Sequence, residues 1–105
     1  MRRYLVHRNR NAATRDSVPY LLDVQSDLLA GLETRVVVPL RPLPDAPGRR
    51  IEGLMPQFEV EGRPVIAVFP QMAGIPNAAL GPVVTDLSHE HGRIIAALDL
   101  LFTGI

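Results

Sequence analysis

Residues 86–105 read DLSHEHGRIIAALDLLFTGI. Within them Ile94, Ile95, Leu98, Leu101 and Phe102 recur at the 3.6-residue spacing of an amphipathic helix, while His89, Glu90, Arg93 and Asp99 fall mainly on other faces. Ser88 is a good N-cap, with Asp86 and Glu90 near the positive pole of the helix dipole. Gly92 weakens the first turn, and Gly104 is placed to end the helix. Ile105 follows at once, so a carboxylate stands at the negative pole. That is unfavourable unless solvent or a cation relieves it, and this end is expected to meet a partner. Leu100 widens the apolar surface beyond one stripe. One face should pack inward, while the surface around Leu100, Leu101 and Phe102 suits a two-fold dimer contact.

Upstream the chain reads as strands. Val36-Val37-Val38, within residues 34–40, is a β-branched run suited to a central strand buried on both faces. Pro39 is expected to end it or mark a bulge. Tyr4-Leu5-Val6 reads as a first strand, residues 8–17 as a polar loop, and residues 18–24 as a strand that tolerates Pro19 near its start. Pro42, Pro44 and Pro47 make residues 41–48 an irregular loop. Phe58-Glu59-Val60, then Glu61-Gly62, then Val65-Ile66-Ala67-Val68-Phe69 signals a hairpin, because Gly62 accepts the positive φ of a tight turn. Pro70 closes that strand. Gly74, Pro76, Gly81 and Pro82 predict extended pieces and turns over residues 72–82. Several strands followed by one helix predict an α+β fold: a small, curled antiparallel sheet with the C-terminal helix packed against it. One domain, residues 1–105, accommodates all of this, with no repeat.

Composition narrows the function classes. The 105 residues are 47% hydrophobic, contain no cysteine and carry zero formal net charge. A core is attainable without staples, and disulfides and thiolate metal sites are excluded. The charge balance argues against a general nucleic-acid binder. All eleven basic residues are Arg. Genome composition bias accounts for that as well as any use of Arg for bidentate carboxylate or phosphate contacts. No stretch approaches the ~20 apolar residues of a membrane span, and the N-terminal apolar run is too short for a signal peptide. A cytoplasmic location is the expectation.

Catalytic and metal motifs are sparse. No phosphate loop, dinucleotide fingerprint or zinc spacing occurs. His89 and His91 stand two apart, roughly 200° around a helix, and cannot share an ion; no metal or cofactor is expected. Asp23 and Asp27 would lie roughly 13 Å apart along a strand, too far for a carboxylate pair, and read as turn or strand-end carboxylates flanking an exposed Ser26. Ser26 has no histidine near it in sequence; His7 and His89 are the candidates to approach in space. Arg49-Arg50 on a loop suits a phosphate or an acidic peptide, or simply solvent. Arg35 reads as a charge guarding a sheet edge.

Four pieces in order resemble the CcdB family of toxins: Leu22-Asp23-Val24-Gln25-Ser26-Asp27, Val38-Pro39-Leu40, Asp86-Leu87-Ser88-His89, and Phe102 with Gly104-Ile105. From about Arg41 to Gln71 the match is one of pattern only. The resemblance implies a dimeric, SH3-like barrel sheet with a C-terminal helix, a fold shared with MazF-type ribonucleases. It implies a non-enzymatic toxin of a toxin-antitoxin pair. Such a homodimer binds the A subunit of DNA gyrase and traps the enzyme with cleaved DNA. The disordered C-terminal segment of a CcdA-like antitoxin neutralises it. The pair represses its own operon, so the toxin meets DNA only through that complex.

The family contacts gyrase through a terminal Trp-Gly-Ile; here the residues are Thr103, Gly104 and Ile105. A tryptophan stacked on arginine is worth about 2–4 kcal/mol, so its loss weakens binding on the order of 30- to 1000-fold. Asp99 replaces a neutral Asn one turn earlier and adds negative charge. The implied gyrase surface is Thr103, Gly104, Ile105 and Asp99, with Gln25 and Ser26 nearby. Two alternatives stay open. One is a MazF-like endoribonuclease using Arg35, Arg49 or Arg50 on phosphate. The other is a weakly toxic or non-toxic relative that binds antitoxin and regulates an operon.

Overall fold

The structure is a computed structural model that describes residues 4–29, 31–45, 51 and 53–104. Seven strands among them form one sheet: β1 (Leu5–Asn9), β2 (Tyr20–Asp23), β3 (Thr34–Pro42), β4 (Gln57–Val60), β5 (Arg63–Ala67), β6 (Ala73–Pro76) and β7 (Leu80–Asp86). Their order is β4-β5-β3-β2-β1-β7, with β6 beside β3, and every pairing is antiparallel. The helix α1 (His91–Thr103) closes the chain. This is the expected α+β architecture, a curled antiparallel sheet carrying one C-terminal helix.

The valine strand is central, as its composition predicts. Val37 and Val38 are both buried, and they point to opposite faces. Pro39 does not end the strand. β3 faces β6 as far as Val37↔Ala73 and β5 from Leu40↔Ala67 onward. Pro39 sits where that partner changes, and its carbonyl accepts the Val68 N–H. The missing proline N–H therefore falls where no ladder bond is required.

The hairpin forms at Glu61-Gly62, with φ of 52° and 74°. Both central residues are left-handed, which matches the right-handed twist of the flanking strands. Phe58 and Val60 are buried while Gln57 and Glu59 are exposed, the alternation of a half-covered strand. Positive φ is sterically unfavourable for Glu61, and three contacts hold it there. Its Oε1 accepts the Tyr20 hydroxyl at 2.5 Å, and Arg8 Nη2 reaches Oε1 and Oε2 at 3.0 and 2.9 Å. Arg8 and Tyr20 are cross-strand partners on β1 and β2. The β4–β5 turn thus touches strands beyond β3, which requires the sheet to curl.

The concave face holds the main core: Val6, Leu22, Val38, Leu40, Phe58 and Phe69 surround Ile94 and Ala97 of α1. Two polar ties orient the helix. Tyr4 Oη lies 2.7 Å from His91 Nδ1, and Arg93 Nη2 donates to the Gln57 carbonyl at 2.9 Å while its guanidinium covers the Phe58 ring. Ser88 is not the cap that its type suggests. Residues Ser88–Glu90 form a 3-10 turn before α1, and the Ser88 hydroxyl donates to Asp86 Oδ1 at 2.6 Å. The Asp86 carboxylate also accepts the Ser88 N–H in a local turn, while neither Leu87 before the 3-10 turn nor Glu90 before α1 caps with its side chain. Gly104 ends the helix as predicted, at φ 73° with its N–H on the Leu100 carbonyl.

Burial raises the Tyr20 pKa above its ordinary 10.0, and the Glu61 carboxylate raises it further against the opposing pull of Arg63. A raised phenol pKa makes the folded state hold its proton more tightly than the unfolded chain. That contribution is complete below the ordinary tyrosine value and is lost as pH rises through the folded value. Urea unfolding should show wild-type stability falling as pH climbs above about 10. Tyr20→Phe should lower stability by about 1.5 kcal/mol at neutral pH and flatten that alkaline decline.

Candidate functional site

Two segments carry the residues to which the sequence points: the connection from β2 to β3, and the last turns of α1. The first is built around a buried ion pair. Asp23 ends β2 with its side chain 7% exposed, and Arg35 near the start of β3 is 13% exposed. Arg35 Nε and Nη2 both lie 2.8 Å from Asp23 Oδ2. The other carboxylate oxygen accepts the Gln25 N–H at 2.9 Å. Arg35 does not guard an edge: β3 runs between β2 and β6, and its guanidinium is directed inward. Asp23 stands at the strand end, where it is the buried partner of Arg35.

Gln25 prolongs the ladder beyond the end of β2. Val24 N–H donates to the Val36 carbonyl, and Gln25 Oε1 then accepts the Val36 N–H at 3.1 Å. Its Nε2 donates to the Leu29 carbonyl. Ser26 is exposed, and its hydroxyl oxygen accepts the Leu28 N–H. Gln25 therefore shapes the loop, while Ser26 stands at its surface.

That loop displays three apolar side chains absent from the surface expected on sequence grounds. Leu28 is 93% exposed, Leu29 48% and Leu32 51%. The sequence does hold a signal for them. Leu28-Leu29 comes directly after the polar run Gln25-Ser26-Asp27 and before Gly31, too short for a buried element and too apolar for an idle turn.

At the helix end, Asp99 and Thr103 are exposed one turn apart. The Thr103 hydroxyl donates to the Asp99 carbonyl at 2.6 Å, leaving its lone pairs and methyl outward. Phe102 is 70% exposed. Leu100 and Leu101 are half-buried within the protomer, and a Cβ on Gly53 would come within 3.5 Å of Leu100 Cδ2. Of the three residues expected at a dimer contact, Phe102 thus offers the most free surface. Ile105 lies outside the described residues, as do Arg49 and Arg50. Among the described residues no hydrogen bond or ion pair joins the β2–β3 connection to the helix end.

Of the two histidines that could serve Ser26, His7 has a ring nitrogen on the Gly81 carbonyl, and His89 is exposed in the 3-10 turn before α1. Arg35, the one ribonuclease candidate among the described residues, presents no free guanidinium to a phosphate. No described helix is long and apolar enough to cross a membrane.

Truncating Arg35 to Met should cost about 3–5 kcal/mol in urea unfolding, because it strands a buried carboxylate. Hydrogen exchange at Ser26–Leu32 should accelerate in the same variant, since Asp23 and Gln25 lose their common anchor.

The family model described as CcdB protein matches residues 3–104 of the 105. The chain belongs to the CcdB family, and it is a toxin of that type.

Proposed function

We propose that this protein acts as a homodimer that binds the A subunit of DNA gyrase and traps the enzyme with cleaved DNA, and that a CcdA-like antitoxin with a disordered C-terminal segment neutralises it. The observation that carries this reading is the form of the helix end. Gly104 turns out of α1 in a left-handed cap, and Asp99, Phe102 and Thr103 stand exposed around it. An exposed aromatic beside a rigid, capped turn is a fitting docking element, since little conformational freedom is lost on binding. The exposed leucines of the β2–β3 loop and Ser26 supply a second apolar contact. Action is by binding and without a reaction of its own, in the cytoplasm, with DNA met only through gyrase or the antitoxin complex.

A second reading is favoured by Thr103, which stands where the family carries tryptophan: a relative that retains antitoxin binding and operon regulation with little toxicity. Without the indole, gyrase binding must rest on Phe102, Gly104 and the loop leucines, and the Asp99 charge acts on whatever surface approaches.

Incubation with gyrase, supercoiled plasmid and ATP, followed by detergent and protease, is expected to accumulate linear DNA. Absence of linear DNA at micromolar folded protein would favour the regulatory reading. Deleting Gly104 and Ile105 should abolish cleavage while leaving the urea midpoint nearly unchanged. Thr103→Trp should lower the concentration giving half-maximal cleavage by roughly tenfold or more, and Asp99→Asn should shift its salt dependence.

A further inference from the structure

The β2–β3 loop is held from a second side by a residue 45 positions away in the chain. Asn77 follows β6, whose last pair with β3 sets Pro76 opposite Thr34. Pro76 has no N–H to give, and Asn77 prolongs the pairing: its backbone N–H donates to the Glu33 carbonyl at 2.9 Å. Its side chain adds a bond that the ladder does not require. Asn77 Nδ2 reaches the preceding carbonyl, that of Leu32, also at 2.9 Å. A 3-10 turn over Asn77–Ala79 and strand β7 follow at once, so the clamp is mounted on ordered chain. On the other side of the loop, Gln25 Nε2 and the Leu32 N–H both donate to the Leu29 carbonyl. A run of hydrogen bonds therefore links Gln25 through Leu29 and Leu32 to Asn77. Both clamps are side-chain amides, and both act on carbonyls of residues whose own side chains are displayed.

We propose that Asn77 is a positioning residue for partner binding: by fixing the Leu32 end of the loop it keeps Leu28, Leu29 and Leu32 displayed, and so sets the strength of their apolar contact. The proposal rests on the reading of this loop as part of the gyrase surface. Leucines as exposed as these gain by folding down onto one another or onto the sheet, unless the backbone beneath them is tied. Packing does little to tie it: a Cβ at Gly31, between Leu29 and Leu32, would meet no atom within 4 Å among the described residues. Hydrogen bonds must hold the path instead. Asn77 is itself exposed, so its amide bond competes with water and adds little to global stability. Its effect falls on the loop, where ordering before a partner arrives removes a conformational cost that binding would otherwise carry.

The test compares wild type, Asn77→Ala, Leu28→Ala and the double variant, all full length. Alanine keeps the backbone N–H that Glu33 accepts, so the urea midpoint of Asn77→Ala should stay near wild type. In that variant the Leu29 and Leu32 amides should exchange with solvent about tenfold faster. Binding to the isolated gyrase A subunit should weaken about tenfold in Asn77→Ala and about tenfold in Leu28→Ala. The double variant should fall well short of a loss of about a hundredfold, because a displaced leucine and a missing one remove the same contact. Unchanged amide exchange in Asn77→Ala overturns the proposal, as does unchanged affinity in either single variant. Losses that multiply in full overturn it too, since Asn77 would then act apart from the leucines. A fall in urea midpoint large enough to account for the lost binding assigns Asn77 to the fold and has the same effect. Wild type that fails to bind the A subunit at micromolar concentration overturns the gyrase reading and this proposal together. Wild-type binding that Asn77→Ala leaves intact overturns this proposal alone.

Discussion

The nine residues of β3 answer to three other strands, and the molecule is arranged around that demand. Along one side β2 accompanies β3. Along the other, β6 and then β5 take turns. A strand in that position has both faces covered for part of its length, which explains why valines crowd it and why a proline survives inside it. The handover between β6 and β5 leaves Val38 and Pro39 between the two registers, and the proline is tolerated there. Because β3 is engaged on both sides, the two flanking halves of the sheet have their positions set, and the surface loops between them inherit those positions.

Curvature follows from a second constraint. Strands β5 and β2 are neighbours of β3 on opposite sides, yet the turn leaving β4 meets Tyr20 and Arg8 through one carboxylate. Sheets twist readily, but a contact bridging non-adjacent strands selects one degree of bending from a continuum. The resulting concavity is filled by one face of α1, with Ile94 and Ala97 fully enclosed. Hydrophobic burial stabilises this arrangement, while the short polar ties from His91 and Arg93 choose the angle at which the helix lies.

Local signals suffice where the physics is local. The Glu61-Gly62 hairpin depends on two φ angles and an alternating pattern, and Gly104 depends on one left-handed residue, so both are legible from neighbouring letters. The curled sheet with its final helix is legible for the same reason. Ser88 reads as the cap from its residue type, and only the geometry shows that its hydroxyl is spent on Asp86 instead. Arg35 and Pro39 mislead a reader of the sequence because their meaning lies in distant partners. Asp23 is twelve positions from Arg35, and β6 and β5 come well after Pro39. Of the site residues, the helix-end set follows from the motif. The loop leucines leave a short signal, an apolar pair after a polar run, and the structure adds that Gln25 holds the backbone beneath them.

That last feature bears on how such a protein changes over generations. The path of the β2–β3 loop is held by Asp23, Gln25 and Arg35, through backbone groups and a buried ion pair. The hydrogen bonds made by these three residues use no side-chain atom of Leu28, Leu29 or Leu32. Scaffold and displayed surface are therefore written in separate letters. Substitutions at the three leucines can retune which surface the loop grips at little cost to folding, whereas substitutions in the anchoring trio act on folding itself. A molecule built this way can trade one target for another while its architecture stays the same.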